Sequence, residues 1–126
     1  MITREQYAEY LAAFNKNDFA GFTKFYAEDV VLELPVATLK GRQAIVDFYA
    51  KVKQSVRETL TVGQFISDAH GLAVEAETEF LAIADAPDFI VRPLKKGEAI
   101  HSVSFIFYEY RDEKFTRIRS ARFKMT

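Results

Sequence analysis

The side chains able to do chemistry in this sequence are few: two histidines, six tyrosines and scattered acids and bases, with no cysteine. Without cysteine there is no thiol nucleophile and no disulfide, and His70 and His101 alone cannot complete a usual zinc site. No metal or cofactor is implied. His70 stands beside Gly71 in a turn, where exposure is expected. His101 opens an alternating segment with outward parity and is also expected at the surface, although a one-residue bulge would swing it and Glu109 inward. Asp85, Asp88 and Glu98 lie in a loop, where acids either reach a pocket lip or stay solvated. Arg122 has inward parity near the end of the last strand. A guanidinium there would fit a carboxylate, a phosphate or a developing oxyanion, or would simply be ion-paired at the sheet margin. Tyr10 and Tyr49 recur on apolar helical faces, a spacing that reads as core aromatics whose hydroxyls find a convenient acceptor.

These residues need a scaffold, and the composition bounds it. A chain of 126 residues fits one domain, residues 1–126, with one core. A formal net charge of −1 provides no field for nucleic acid or an anionic membrane, so neither is expected as a partner. No apolar run reaches membrane-helix length and the first ten residues lack the apolar core of a secretory signal, which makes a cytoplasmic location the default expectation. Twelve Phe and six Tyr against no Trp supply large rings for a core or for pocket walls.

Periodicity places the elements. Thr3 with Gln6 fits a capping box, and Tyr7, Tyr10, Leu11 and Phe14 follow at one-face spacing, predicting a helix over residues 4–15. Asp18 caps a second short helix carrying Phe19, Phe22, Phe25 and Tyr26, ending near Glu28-Asp29. Val30 to Leu34, stopped by Pro35, reads as the first strand, and Ala44, Ile45, Phe48, Tyr49 and Val52 as a third helix. From Glu58 the period becomes two: Leu60 and Val62, then Leu72 to Phe80, predict a hairpin. Residues 85–98 read as a long loop suited to a pocket lip, and residues 101–110 and 114–125 as two further strands. Parity turns Val30, Leu32 and Leu34 inward, then Val74, Ala76, Thr78 and Phe80, then Ser102, Ser104, Ile106 and Tyr108, then Thr116, Ile118, Ser120 and Arg122.

Helices with one early strand, followed by a four-strand meander, resemble the nuclear-transport-factor-2-like superfamily, also called the cystatin-like cone fold. Tyr10 to Asn15 followed by Asp18, then Phe25 to Val30, Leu34-Pro35, Gly41, Ala44-Ile45 and Phe48-Tyr49, is similar to the N-terminal half of ketosteroid isomerases and to the polyketide-cyclase-like branch. The resemblance implies an α+β fold: a curved, mostly antiparallel mixed sheet closed by three N-terminal helices around an apolar pocket. It places the isomerases' oxyanion-hole tyrosine on Tyr10 and a supporting tyrosine on Tyr49. With Arg122 these are the candidate catalytic residues, and Phe14, Tyr26, Leu34, Thr78, Phe80, Ser104, Ile106, Tyr108 and Ser120 are the expected lining. Where those isomerases carry the proton-abstracting aspartate this sequence has Leu34, and Ile106 falls where they carry a second acid. Steroid isomerisation therefore does not carry over.

On the opposite parity, Val103, Phe105 and Phe107 form an apolar stripe flanked by Glu75, Glu77 and Glu79 on one strand and Arg117 and Arg119 on another. This predicts a homodimer through the sheet. Two functions stand side by side. One is an isomerase, cyclase or hydrolase of the polyketide-cyclase-like type, acting on a small apolar carbonyl compound. The other is a non-catalytic ligand-binding or dimerisation module that has lost the family's acids.

Overall fold

The computed structural model of the protein describes residues 1–126. Helix α1 spans Arg4–Asn15 and starts as the capping box requires: the Gln6 N–H donates to Thr3 Oγ1 at 3.1 Å and the Thr3 N–H to Gln6 Oε1 at 2.8 Å. Helix α2, Phe19–Thr23, is capped by Asp18, which accepts from the Gly21 N–H at 3.0 Å. Strand β1 (Tyr26–Glu33), the short β2 (Thr38–Lys40) and helix α3 (Arg42–Val52) follow. Four long strands complete the chain: β3 Val56–Ser67, β4 Gly71–Ala82, β5 Ala99–Arg111 and β6 Lys114–Met125.

The six strands form one sheet in the order β2-β1-β6-β5-β4-β3. Neighbours are antiparallel except β1 and β6, which run parallel. The sheet curls so that its concave face takes the helices. Asp112 and Glu113 both have positive φ, 54° and 60°, as a two-residue hairpin turn between right-twisted strands demands. The main core joins Tyr7, Tyr10 and Phe14 of α1 to Phe22, Tyr26, Ile45, Tyr49, Tyr108 and Phe115. No helix is long and apolar enough to cross a membrane.

Three expectations change. The second helix stops at Thr23, and Tyr26 opens β1 instead of closing α2, because the Phe25 carbonyl accepts from the Phe115 N–H at 2.7 Å and Tyr26 pairs with Phe115. Strand β2, too short for a periodic signal, pairs with β1. Thr116 does not face the concave side: a bulge between Glu109 and Tyr110 sets Tyr110 against Phe115, and the Thr116 hydroxyl donates to the Glu109 carbonyl at 3.2 Å. Strand β5 keeps an unbroken register with β4 from Ala99 to Glu109, so His101 and Glu109 stay on the convex face, where Glu79 lies 3.1 Å from the His101 ring and Arg117 and Arg119 lie 3.5 Å from Glu109.

Segment 83–98 is a loop with its own small core. Ala86 bridges to Leu94 by backbone hydrogen bonds, and both side chains pack with Val56, Ala82 and Ile100. This anchoring holds Phe89, Ile90 and Val91 over the concave face.

Candidate functional site

Between the helices and the concave face lies a cavity of about 110 Å³, with 18 hydrophobic residues among the 25 that line it. That is several times the ~10–15 Å³ a single water requires. Helix α1 contributes Tyr10 and Phe14, α3 contributes Phe48 and Tyr49, β1 and its turn contribute Leu34, Pro35 and Val36, and the loop contributes Phe89 to Val91. The sheet presents Thr78, Phe80, Ser104, Ile106, Tyr108, Ser120 and Arg122. All twelve residues singled out from the sequence lie on the walls of this one space. Asp85, Asp88, Glu98, His70 and His101 do not line it. Asp85 and Glu98 are used locally, accepting from the Lys96 and Lys95 N–H groups. No group of three or more His, Cys, Asp or Glu side chains could hold a metal ion.

The phenols at the helical end are mostly committed to one another. Tyr10 and Tyr26 hydroxyls lie 2.8 Å apart, as do those of Tyr7 and Tyr108. One bond consumes one proton, so each pair retains a second O–H. Burial pushes the Tyr10 phenol up to about 12, outweighing the hydrogen bonds that favour its ionised form. Tyr49 differs. It is 6% exposed, its hydroxyl has no hydrogen-bond partner in the protein, and burial together with the charge of Glu58 holds its pKa well above the ordinary value.

Glu58 is the residue sequence reasoning missed, and it is the one carboxylate on the cavity wall. It belongs to β3, an edge strand paired only with β4, and shares parity with buried Val56 and Leu60. The strand's position is set from the free edge. The Asn15 side-chain amide donates to the Leu60 carbonyl and its oxygen accepts from the Leu60 N–H, both at 2.9 Å, so the end of α1 takes the place of a missing strand. Glu58 is half-buried, and the surface it keeps opens onto the cavity. Burial raises its pKa from 4.5 to about 7, against the opposing pull of Lys53. The Lys53 ammonium does not reach the carboxylate. It donates to the Phe14 carbonyl at 3.3 Å and lies 5.0 Å from the ring centres of Phe14 and Phe19, while desolvation lowers its own pKa. The signal for Glu58 was parity: two residues before Leu60, it belongs to the same face as Leu60 and Val62.

The floor carries a polar band. Thr78 and Ser102 are cross-strand partners, as are Ser104 and Arg122, and Ile106 faces Ser120. Thr78, Ser102 and Ser104 are only 7%, 7% and 9% exposed, yet none of their hydroxyls bonds to the protein. Arg122 is exposed at the rim and has no carboxylate within ion-pair distance. The arrangement offers donors and one acceptor along an otherwise apolar wall.

Residues 7–118 match the family model of the SnoaL-like domain. The sequence matches no curated protein. Among solved structures, the fold is similar to that of a protein from Pseudomonas putida KT2440 given the provisional name polyketide cyclase, 22% identical, with a TM-score of 0.81 over 96% of this chain and 91% of that one. A protein from Xanthomonas campestris pv. campestris with the same provisional name is 21% identical, with a TM-score of 0.76 over 90% of this chain and 84% of that one. TerC, solved co-crystallised with polyporic acid, is 20% identical, with a TM-score of 0.75 over 94% of this chain and 88% of that one. At such identities the solved structures establish the fold, and the family model establishes membership. The chain belongs to the SnoaL-like domain family, and its fold is the nuclear-transport-factor-2-like one.

Proposed function

We propose that the cavity binds a small, largely apolar molecule carrying a carbonyl or acidic oxygen, and that the protein acts on it as an isomerase, cyclase or hydrolase of the polyketide-cyclase-like type. The observation that carries this reading is the band of hydroxyls on Thr78, Ser102 and Ser104, which open onto the apolar cavity and make no hydrogen bond within the protein. A few convergent polar groups on an otherwise apolar wall are what fixes the orientation of a bound small molecule. Aromatic walls accept the carbon skeleton, the hydroxyl band accepts or donates to its oxygens, and Arg122 at the rim holds an anionic end. Tyr10 orients the ligand from the helical end. That TerC was crystallised with polyporic acid supports an oxygen-bearing ligand on this scaffold.

The test is a thermal-shift screen of ketones, lactones, epoxides and aromatic acids, beside native mass spectrometry of freshly purified protein. A true ligand at one hundred times its Kd stabilises the fold by about 2.7 kcal/mol. Arg122→Ala should weaken an acidic ligand while leaving the unfolding midpoint of the free protein in place. No shift with any class, and no bound mass, would remove the pocket function.

A second reading concerns the convex face, where Phe105 and Phe107 are 48% and 45% exposed and Val103 lies beside them. Glu75 and Glu77 lie on the β4 side of that stripe and Arg117 and Arg119 on the β6 side, so a two-fold axis through β5 sets acid against base. This supports a homodimer through the sheet. Light scattering at micromolar concentration should give twice the chain mass, and Phe105→Asp should halve it. A monomer in the unsubstituted protein would sink the idea. The non-catalytic alternative for the whole protein draws on apolar Leu34 and Ile106, and Glu58 weighs against it.

A further inference from the structure

Glu58 and Tyr49 are unusual together. Each lines the cavity, each ends in a polar group that makes no hydrogen bond within the protein, and a carboxylate accepts where a phenol donates. They come from different elements, β3 and α3, joined by only three residues, 53–55. Both are held firmly. Tyr49 packs edge-on against Phe14 and Phe48 with ring centres 5.2 and 5.1 Å apart, and β3 is clamped by Asn15 two residues beyond Glu58. They are also close enough for the carboxylate's charge to act on the phenol. A half-buried carboxylate that served only the fold would be expected to pair, and the cation whose charge acts on it, Lys53, is turned into the Phe14 and Phe19 rings instead.

We propose that Glu58 and Tyr49 form a proton-transfer pair, in which Glu58 takes a proton from a carbon next to a ligand carbonyl while the Tyr49 hydroxyl donates to the carbonyl oxygen. This rests on the pocket reading above. Breaking the C–H bond leaves its electron pair in an enolate whose charge lies on the oxygen facing Tyr49, and the proton resides on a Glu58 oxygen. Returning the proton to another carbon of the enolate yields an isomer. Where the enolate carbon adds to a second carbonyl of the same molecule, a C–C bond closes a ring, the new alkoxide takes the proton and the carboxylate is restored. No oxidant or reductant enters. The apolar surroundings serve this chemistry, since a poorly solvated carboxylate is a stronger base and a phenol that resists ionisation remains a donor. The acid is supplied from the edge strand, on a different strand from the positions that Leu34 and Ile106 occupy.

The test uses 2-tetralone, an apolar ketone with acidic C–H bonds, and follows deuterium uptake from D2O by NMR. The unsubstituted protein should accelerate uptake over buffer, with a rate that rises through about pH 7 as Glu58 ionises. The groups facing Glu58 are Lys53, Tyr10 and Tyr49, with Arg122 on the same cavity from β6. Glu58→Gln should reduce uptake roughly 10²–10⁴-fold and abolish that inflection. Tyr49→Phe should reduce it about 10²-fold while keeping the inflection. Both should bind tetralone within tenfold of the original, as measured by NMR titration. Glu33→Gln, on the convex face, should exchange like the original. Exchange by Glu58→Gln at the original rate, or tetralone bound without exchange, overturns the pair and leaves the pocket reading standing. No binding of tetralone at millimolar concentration removes both.

Discussion

Glu33 and Glu58 are carboxylates on strands of one sheet, facing opposite sides. On the convex side, Arg117 donates to both Glu33 oxygens at 2.6 and 3.2 Å, and this bond, with the charges of Arg117 and Arg119, holds the acid below its usual range. On the concave side, Glu58 has no such bond, and burial lifts it to about 7. The convex charges neutralise each other where water already screens them, which contributes little to stability. The cavity carboxylate costs the fold stability when it ionises, and no cation pairs with it. A charge is thus defined by the face its strand parity selects, more than by its residue type.

The largest way to break this contrast is to open the aromatic frame that keeps the concave side dry. Phe115→Ala, at a side chain with 0% exposure, should destabilise the protein by about 3–5 kcal/mol in urea unfolding. Next is the pH dependence of Glu58. Its folded pKa of about 7 exceeds the 4.5 of the free group, so the folded chain binds more protons between those values, and stability falls as pH rises from about 4.5 through 7 and then levels. Glu58→Gln should abolish that slope, with no gain below pH 4.5 and a gain on the order of 3 kcal/mol at pH 8. A flat profile in the unsubstituted protein would mean that the carboxylate is solvated. Removing the clamp with Asn15→Ala leaves the Leu60 N–H and carbonyl without their partner and should cost about 2 kcal/mol, with faster amide exchange along β3. The smallest effect belongs to Glu33→Gln, whose unfolding midpoint should move little and less still in high salt.

Much of this molecule was legible along the chain. The capping box at Thr3 and the spacing of Tyr7, Tyr10 and Phe14 placed α1 at its observed ends, because a helix start and its buried face are local events. Alternation placed β4 and β5 and the inward set from Thr78 to Tyr108, since period two is a property of the strand itself. Tyr26 was misassigned because its place is decided by Phe115, far along the chain, and no window contains both. Thr116 was misassigned because a bulge is a relation between two strands. Glu58 is legible by parity with Leu60, but its burial is not, because what packs over an edge strand is decided by distant parts of the chain.

By itself the sequence determined the α+β class, the helix faces, the alternation of the strands and the family, all of which follow from short-range periodicity and local motifs. Only the tertiary structure decided that Glu58 shares a cavity with an unpaired phenol, that Lys53 turns into a ring cluster instead of pairing with the carboxylate, and that the loop's own core holds Phe89 to Val91 at the cavity. Desolvation and pairing depend on which surfaces meet in space, and those contacts join residues that the chain keeps apart.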